Sequence, residues 1–274
     1  MAAAAAAVLC PAEALRRPAA VVLLNRPLPR AVALAWAAQG ALRVCADGGA
    51  NRLYDAAPSW WTGAPPAGSG GHEAPKPAGR GGWADVARQR AAPHALLGDL
   101  DSVRAEVLDF YRGVEGCDVL DLSADQDTTD LEKCIRYALD RVPDPERWVL
   151  CAGALGGRLD HTLAALSALH AHAPRRVALV GDESLCCAVP AGHWSIRRDT
   201  ELETTVCGLV PVSRPVSCAT RGLRWDLPVG ARLEVGSLVS TSNRLQGSEV
   251  QVTCDGTLLW TTALADPWGS GEGR

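Results

Sequence analysis

The stretch Pro93-His94-Ala95-Leu96-Leu97-Gly98-Asp99-Leu100-Asp101-Ser102 sets the reading of the whole chain. Ala95–Leu97 is a short apolar run that stops at Gly98, and two carboxylates, Asp99 and Asp101, follow at once. In extended backbone residues i and i+2 point to the same side. The pattern therefore predicts the carboxyl end of a buried strand that presents two acids on one face. Ligands of open α/β sheets bind outside the carboxyl ends of the strands, and adjacent carboxylates repel unless a cation lies between them. The stretch points to a magnesium site for a phosphorylated ligand. A plainer reading makes Asp101 or Ser102 the cap of a helix that starts near Val103.

Outward from this strand, short apolar runs alternate with helical patterns. Ala20–Asn25, Leu42–Ala46, Asp118–Leu122, Trp148–Ala152 and Arg176–Val180 read as strands. Leu28–Ala38, Val103–Arg112, Thr129–Arg141 and Leu159–His172 read as helices, the third with Leu131, Ile135, Ala138, Leu139 and Val142 on one face. Such alternation predicts an α/β domain over 19–183, a mostly parallel sheet covered by helices. Ala56–Pro93 breaks the rhythm with Gly, Pro and Ala, and predicts a disordered insertion in which Trp83–Arg90 forms a short helix. After residue 183 only short strand-like runs remain: Leu185–Val189, His193–Arg197, Thr204–Val212, Ser217–Leu227, Leu233–Ser240, Glu249–Thr253 and Leu258–Leu264. They predict an all-β sandwich domain over 184–265. Residues 1–18 and 266–274 read as tails, the first disordered, because Ala2–Val8 is alanine-rich and has no basic segment before it.

The chain has 274 residues, 47% of them hydrophobic, enough for real cores, and its net charge of −4 offers nucleic acid no basic field. No apolar run approaches the roughly 18–20 residues of a membrane span. Ten cysteines without a C-x-x-C pair read as free thiols in a reducing compartment, the cytosol. No P-loop, H-E-x-x-H or G-x-S-x-G motif is present.

Four acidic turns fall at the ends of successive strands of the first domain. They are Asp47-Gly48-Gly49, Asp99-Leu100-Asp101, Asp125-Gln126-Asp127-Thr128-Thr129-Asp130 and Gly156-Gly157-Arg158-Leu159-Asp160-His161. A parallel sheet puts all these ends on one edge, and the resulting acidic cleft needs cations. Each turn also has an ordinary reading. D-G-G is a common turn. Thr129 and Glu132 fit a capping box with Asp130 on the helix dipole. Arg158 is placed either to grip phosphate oxygens in a planar, bidentate way or to pair with Asp160 at the surface. In the β region, Ser237–Asn243 ends a strand in polar residues, of which Ser240, Ser242 and Asn243 suit a small polar ligand. Trp225 suits either stacking on an aromatic cation or core packing.

Together these segments resemble the thiamine pyrophosphokinases. The matching stretches are Cys45–Asp55, Gly98–Ser102, Asp125–Asp130, Gly156–His161, Cys207–Val212 and Ser237–Asn243, in the family's order and spread from Val21 to Leu264, with the closest likeness to the animal enzymes. The resemblance implies transfer of the diphosphate of ATP to the hydroxyl of thiamine with release of AMP. It implies an α/β domain followed by a β-sandwich, in a homodimer whose active sites lie at the subunit interface. It makes Asp99, Asp101 and Asp130 the magnesium and phosphate-site acids, and Arg158 a catalytic cation. Asp47, Gly48, Asn51, Gln126 and Asp160 fall on the nucleotide side, and Ser240, Asn243 and Trp225 on the thiamine side. Leu100 stands where the family carries an aromatic residue, and 56–93 is longer than in relatives. Two alternatives remain at this point: a magnesium-dependent nucleotide phosphohydrolase and a non-catalytic thiamine or nucleotide sensor.

Overall fold

All four residues of the strand Ala95–Gly98 are buried. The computed structural model that contains it describes residues 6–27, 30–60, 82–181 and 183–265. In chain order the first part comprises β1 (Ala7–Leu9), α1 (Glu13–Arg16), β2 (Ala20–Leu23), α2 (Arg30–Trp36), β3 (Leu42–Ala46), α3 (Gly49–Trp60), α4 (Trp83–Arg90), β4 (Ala95–Gly98), α5 (Ala105–Arg112), β5 (Asp118–Asp121), α6 (Asp130–Arg141), β6 (Val149–Leu155), α7 (Leu159–Ala171) and β7 (Val177–Gly181). The second part is all strand: β8 (Ser184–Val189), β9 (Gly192–Arg197), β10 (Glu203–Pro211), β11 (Val216–Arg221), β12 (Ala231–Leu233), β13 (Ser240–Arg244), β14 (Glu249–Cys254) and β15 (Leu258–Leu264).

The central parallel strands β2, β4, β6 and β7 are apolar because both faces are covered, whereas the edge strand β5 begins and ends in Asp. Along β2, Val21 and Leu23 enter one core, with Leu53 and Ala57 of α3 and Val107 and Tyr111 of α5. Ala20 and Val22 enter the other, with Leu131, Ile135 and Ala138 of α6 and Ala165 and Leu169 of α7. Leu96 and Leu97 of β4 divide in the same way. A period of two in the strands and of 3.6 in the helices thus meets on both sides of the sheet.

The expected sandwich is present, but the two parts share one sheet. The ten-stranded sheet runs β13-β10-β15-β8-β7-β6-β2-β3-β4-β5, parallel from β7 to β5. It turns antiparallel at the β7–β8 pair, where Ala178 faces Cys187. The second sheet, β1-β9-β14-β11-β12, closes the sandwich. Ile196, Val250 and Val252 of that sheet join Leu209 and Trp260 of the first in the same apolar core as Leu23 and Leu96. The boundary near residue 183 is therefore a change of strand direction within one sheet, not a break between two cores.

Three expectations change. The reading of 1–18 as a disordered tail does not hold from Ala6 onward. Ala7–Leu9 pairs in parallel with β9, Ala14 and Leu15 are buried, Arg16 bonds Asp199 and Glu201, and Arg176 donates to the Val8 carbonyl at 3.1 Å. Apolar residues inside an alanine-rich segment find an open sheet edge that composition does not reveal. The insertion is narrower than 56–93: α3 runs on to Trp60, and the expected helix Trp83–Arg90 forms and packs on α3, with Arg88 stacked 3.8 Å over the Tyr54 ring. Residues 61–81, like 1–5 and the expected tail 266–274, lie outside the described residues. Finally, the run Leu233–Ser240 is not one strand. A turn closed by the Ser237 amide on the Glu234 carbonyl at 3.0 Å separates β12 from β13, so Ser240 and Asn243 lie within an edge strand.

Candidate active site

A cleft of about 620 Å³ opens at the carboxyl ends of β2, β3, β4 and β6. Asp47, Asp99, Asp101, Asp125 and Asp130 line it, with Asn25, Arg26, Gly48, Gln126, Lys133, Arg158 and His161. All four acidic turns do converge on one edge, as the parallel topology requires.

The two acids of the opening stretch do not converge by strand alternation. β4 ends at Gly98, and Leu100 has φ 62°, so the chain turns left-handed between them. The Asp101 amide closes that turn on Asp99 Oδ1 at 3.4 Å, while Leu100 packs against the core away from the acids. Gly98 is needed for the approach of the neighbouring acids. Its φ is 145°, and a Cβ there would lie 2.9 Å from Asp130 Oδ1 and 3.1 Å from Asp47 Cβ.

Asp47, Asp99 and Asp101 each offer an oxygen within 4.8 Å of the others. An octahedral magnesium with oxygens at about 2.1 Å places its ligands roughly 3.0 to 4.2 Å apart. Oxygens within 4.8 Å of one another lie close to that range, and an all-carboxylate set matches a hard cation. The residues fit magnesium. The trio adds Asp47 to the expected Asp99 and Asp101, and Asp130 stands close by, feeling the charges of Asp99 and Asp47. Asp130 pairs with Lys133 across one helical turn, Nζ to Oδ1 3.5 Å. Burial, then the charge of Asp99, pushes the Asp130 carboxyl above its usual range, and Lys133 opposes this. Lys133 is only 8% exposed and, with Asn25, Arg26 and His161, was not singled out from the sequence. Its only signal was its position three residues after Asp130, on the face that the helix turns toward the cleft.

Asn51 is bonded to the acid-bearing loop. Its side chain donates to the Ser102 carbonyl at 2.8 Å and accepts from the Arg104 amide at 3.0 Å, which ties α3 to the acid-bearing loop. Gly48 does line the cleft, and a Cβ there would meet Asn25 Nδ2 at 2.4 Å. Gln126 also lines it, with its amide donating to the Ser123 carbonyl at 2.7 Å. Half of the capping box forms. Thr129 accepts from the Glu132 amide at 3.3 Å, but the Glu132 carboxylate turns to Arg136 and His172. Arg158 and Asp160 adopt the surface pairing, at 3.1 and 2.5 Å, with Arg158 71% exposed at the cleft and Asp160 outside its lining. The guanidinium holds the Asp160 carboxyl down to about 2.

Ser240, Asn243 and Trp225 form a second cluster. Asn243, 4% exposed, donates to the Trp225 carbonyl at 2.9 Å and to Ser240 Oγ at 3.2 Å, and accepts from the Trp225 amide at 3.3 Å. The Trp225 ring itself is 55% exposed, so the core-packing reading fails. Arg224 lies 4.8 Å over that ring. The cluster's strand, β13, is five to seven strands from β6 and β3 in the sheet, about 24–34 Å at about 4.8 Å per strand.

The family described as thiamin pyrophosphokinase, catalytic domain, matches residues 34–180, and the one described as thiamin pyrophosphokinase, vitamin B1 binding domain, matches residues 193–259. Thiamine pyrophosphokinase 2 of Arabidopsis thaliana is 39% identical over 89% of this chain and 86% of its own length. Thiamine pyrophosphokinase 1 of Oryza sativa subsp. japonica is 37% identical over 89% and 87%. The Caenorhabditis elegans thiamin pyrophosphokinase 1 is 30% identical over 63% of this chain and 70% of its own length. The fold is that of the solved thiamin pyrophosphokinase from Candida albicans, with a TM-score of 0.75 at 20% identity over 97% of this chain and 95% of that one. Two family matches that together span both sheets, and full-length relatives well above 30% identity, leave one assignment: the chain belongs to the thiamin pyrophosphokinase family.

Proposed function

We infer that the chain is a thiamine diphosphokinase that transfers the diphosphate of ATP to the hydroxyl of thiamine and releases AMP. The observation that carries the reading is the convergence of Asp47, Asp99 and Asp101 beside Lys133 and Arg158, at the sheet edge where the family's catalytic domain matches. The thiamine oxygen attacks the β-phosphorus as the bond to the AMP oxygen breaks. Magnesium would be held by Asp99 and Asp101 together with Asp47, and would supply charge neutralisation at the phosphate oxygens. Asp130 and Lys133 set the charge at the back of the cleft, and Arg158 faces the phosphates from its rim. Gln126 and Gly48 belong to the nucleotide side. Asp160 orients Arg158, and Asn51 orients the acid-bearing loop. The protein's main contribution to rate is in-line positioning of the hydroxyl.

Ser240, Asn243 and the exposed Trp225 ring serve thiamine. The separation of the two clusters along the sheet supports a homodimer in which the β13 cluster of one copy faces the acidic cleft of the other. All ten cysteines are free, which supports a reducing compartment, the cytosol. No helix of the described residues is long and apolar enough to cross a membrane.

Product identity tests the reading. ATP and thiamine should yield AMP and thiamine diphosphate in equal amounts, and ADP with thiamine monophosphate would refute diphosphate transfer. ATP turnover without thiamine would indicate the phosphohydrolase, and binding of both ligands without AMP release the sensor. Neither alternative has support in the family matches or the named relatives.

A further inference from the structure

Arg26 stands just past β2, outside every sequence motif that led to the site. The Leu24 amide bonds the Ala152 carbonyl at 2.9 Å, which keeps β2 in step with β6. The Arg26 amide then folds back onto the Leu24 carbonyl at 2.8 Å and aims the side chain over the turn that follows β6. That turn is hollowed out for it. A Cβ on Gly153 (φ 79°) would lie 3.1 Å from Arg26 Cβ, and one on Gly157 (φ 67°) only 1.6 Å from Arg26 Nη1. The two glycines thus form a cradle in which the stem lies against one and the guanidinium against the other. Both Arg26 and the cradle line the acidic cleft.

The charge balance of the cleft gives this placement a purpose. Five aspartates line it, and a polyphosphate entering such a field needs cations from the protein as well as from the metal. Among the described lining residues the basic side chains besides His161 are Arg26, Lys133 and Arg158. A guanidinium laid on glycine backbone has its rotamer fixed before the ligand arrives, so little entropy is lost on binding.

We propose that Arg26 is a phosphate-binding residue of this site, cradled by Gly153 and Gly157 to grip the triphosphate chain of the nucleotide. The inference rests on the diphosphokinase reading. It is tested on the full-length protein by equilibrium binding of a non-hydrolysable ATP analogue with magnesium, and separately of thiamine, each alongside thermal unfolding. Arg26→Gln should weaken analogue binding about 10- to 100-fold, the range for loss of a charge-assisted bond, with thiamine binding unchanged. Gly157→Ala should weaken it similarly by displacing the guanidinium, and the double variant should be no worse than the weaker-binding single variant. If Arg26→Gln fails to unfold cooperatively, Arg26→Lys takes its place, with a loss of at least about fivefold expected because the planar fork is gone. Analogue binding within twofold of wild type in the Arg26 variant, or additive losses in the double variant, overturns the proposal. Wild-type AMP and thiamine diphosphate formation, measured in parallel, shows separately whether the diphosphokinase reading stands.

Discussion

The Ser102 amide donates to the Asp47 carboxylate at 3.2 Å, across 55 residues of sequence. That bond joins the turn after β3 to the turn after β4, and Asn51 reinforces it from α3. Asp47 is therefore held at φ 42° beside Asp99 and Asp101, and the carboxylate trio is a product of two turns locked together. Carboxylates this close repel one another, and a cation bound among them would offset that repulsion.

Asp99→Asn and Asp101→Asn should each lower kcat by two orders of magnitude or more. The fold should survive, with a melting temperature equal to or above that of wild type because repulsion is relieved. Steady-state kinetics with calorimetry checks both. Near-wild-type turnover would reduce that acid to a turn former.

Asn51→Ala removes both bonds to the 102–104 loop and should cost about 1–2 kcal/mol of stability. If Asn51 positions the acids, the variant should also need several-fold more magnesium for half-maximal activity. An unchanged magnesium titration with only a lower melting temperature would confine Asn51 to stability.

Asp160→Asn should impair turnover less than Arg158→Ala, because Asp160 lies outside the cleft lining and acts by orienting Arg158. Losses of equal size, not exceeded in the double variant, are expected only if the pair works as one unit. A larger loss for Asp160→Asn than for Arg158→Ala would make Asp160 a direct contact.

Glu203 is 1% exposed, accepts from the Thr262 hydroxyl at 2.6 Å and from the Asp199 amide at 2.9 Å, and is pushed above the ordinary glutamate range chiefly by burial. Between the unfolded and the raised folded pKa the native state holds a proton that the unfolded chain has lost. Its contribution is therefore fully present below the unfolded value and falls as pH rises through that window. Glu203→Gln should flatten this part of the stability–pH curve. An identical slope in wild type and variant would show that the carboxyl titrates as if exposed.

If the proposed homodimer pairs Asp99 of one copy with Asn243 of the other, mixing Asp99→Asn protein with Asn243→Ala protein after subunit exchange should restore about a quarter of wild-type activity, because a mixed dimer would carry one intact site. No recovery despite proven exchange would place both clusters of a site in one chain.

The sequence by itself determined the layers, the order of elements and the edge on which the acids gather. Hydrophobic period and turn residues are local properties, and the parallel topology follows from their alternation, so β4 was legible to the residue. The ordered motifs made the family legible as well. Tertiary structure alone decided which acids meet. Asp47 joins Asp99 and Asp101 through a bond spanning 55 residues, and Asp130 beside them also pairs with Lys133. It also decided that Asn51 serves a neighbouring loop, that Ala7–Leu9 completes a sheet edge, and that Arg26 lies in a glycine cradle. These are contacts between segments distant in sequence. Their energies depend on distance and burial after packing, and neither quantity is carried by composition or spacing.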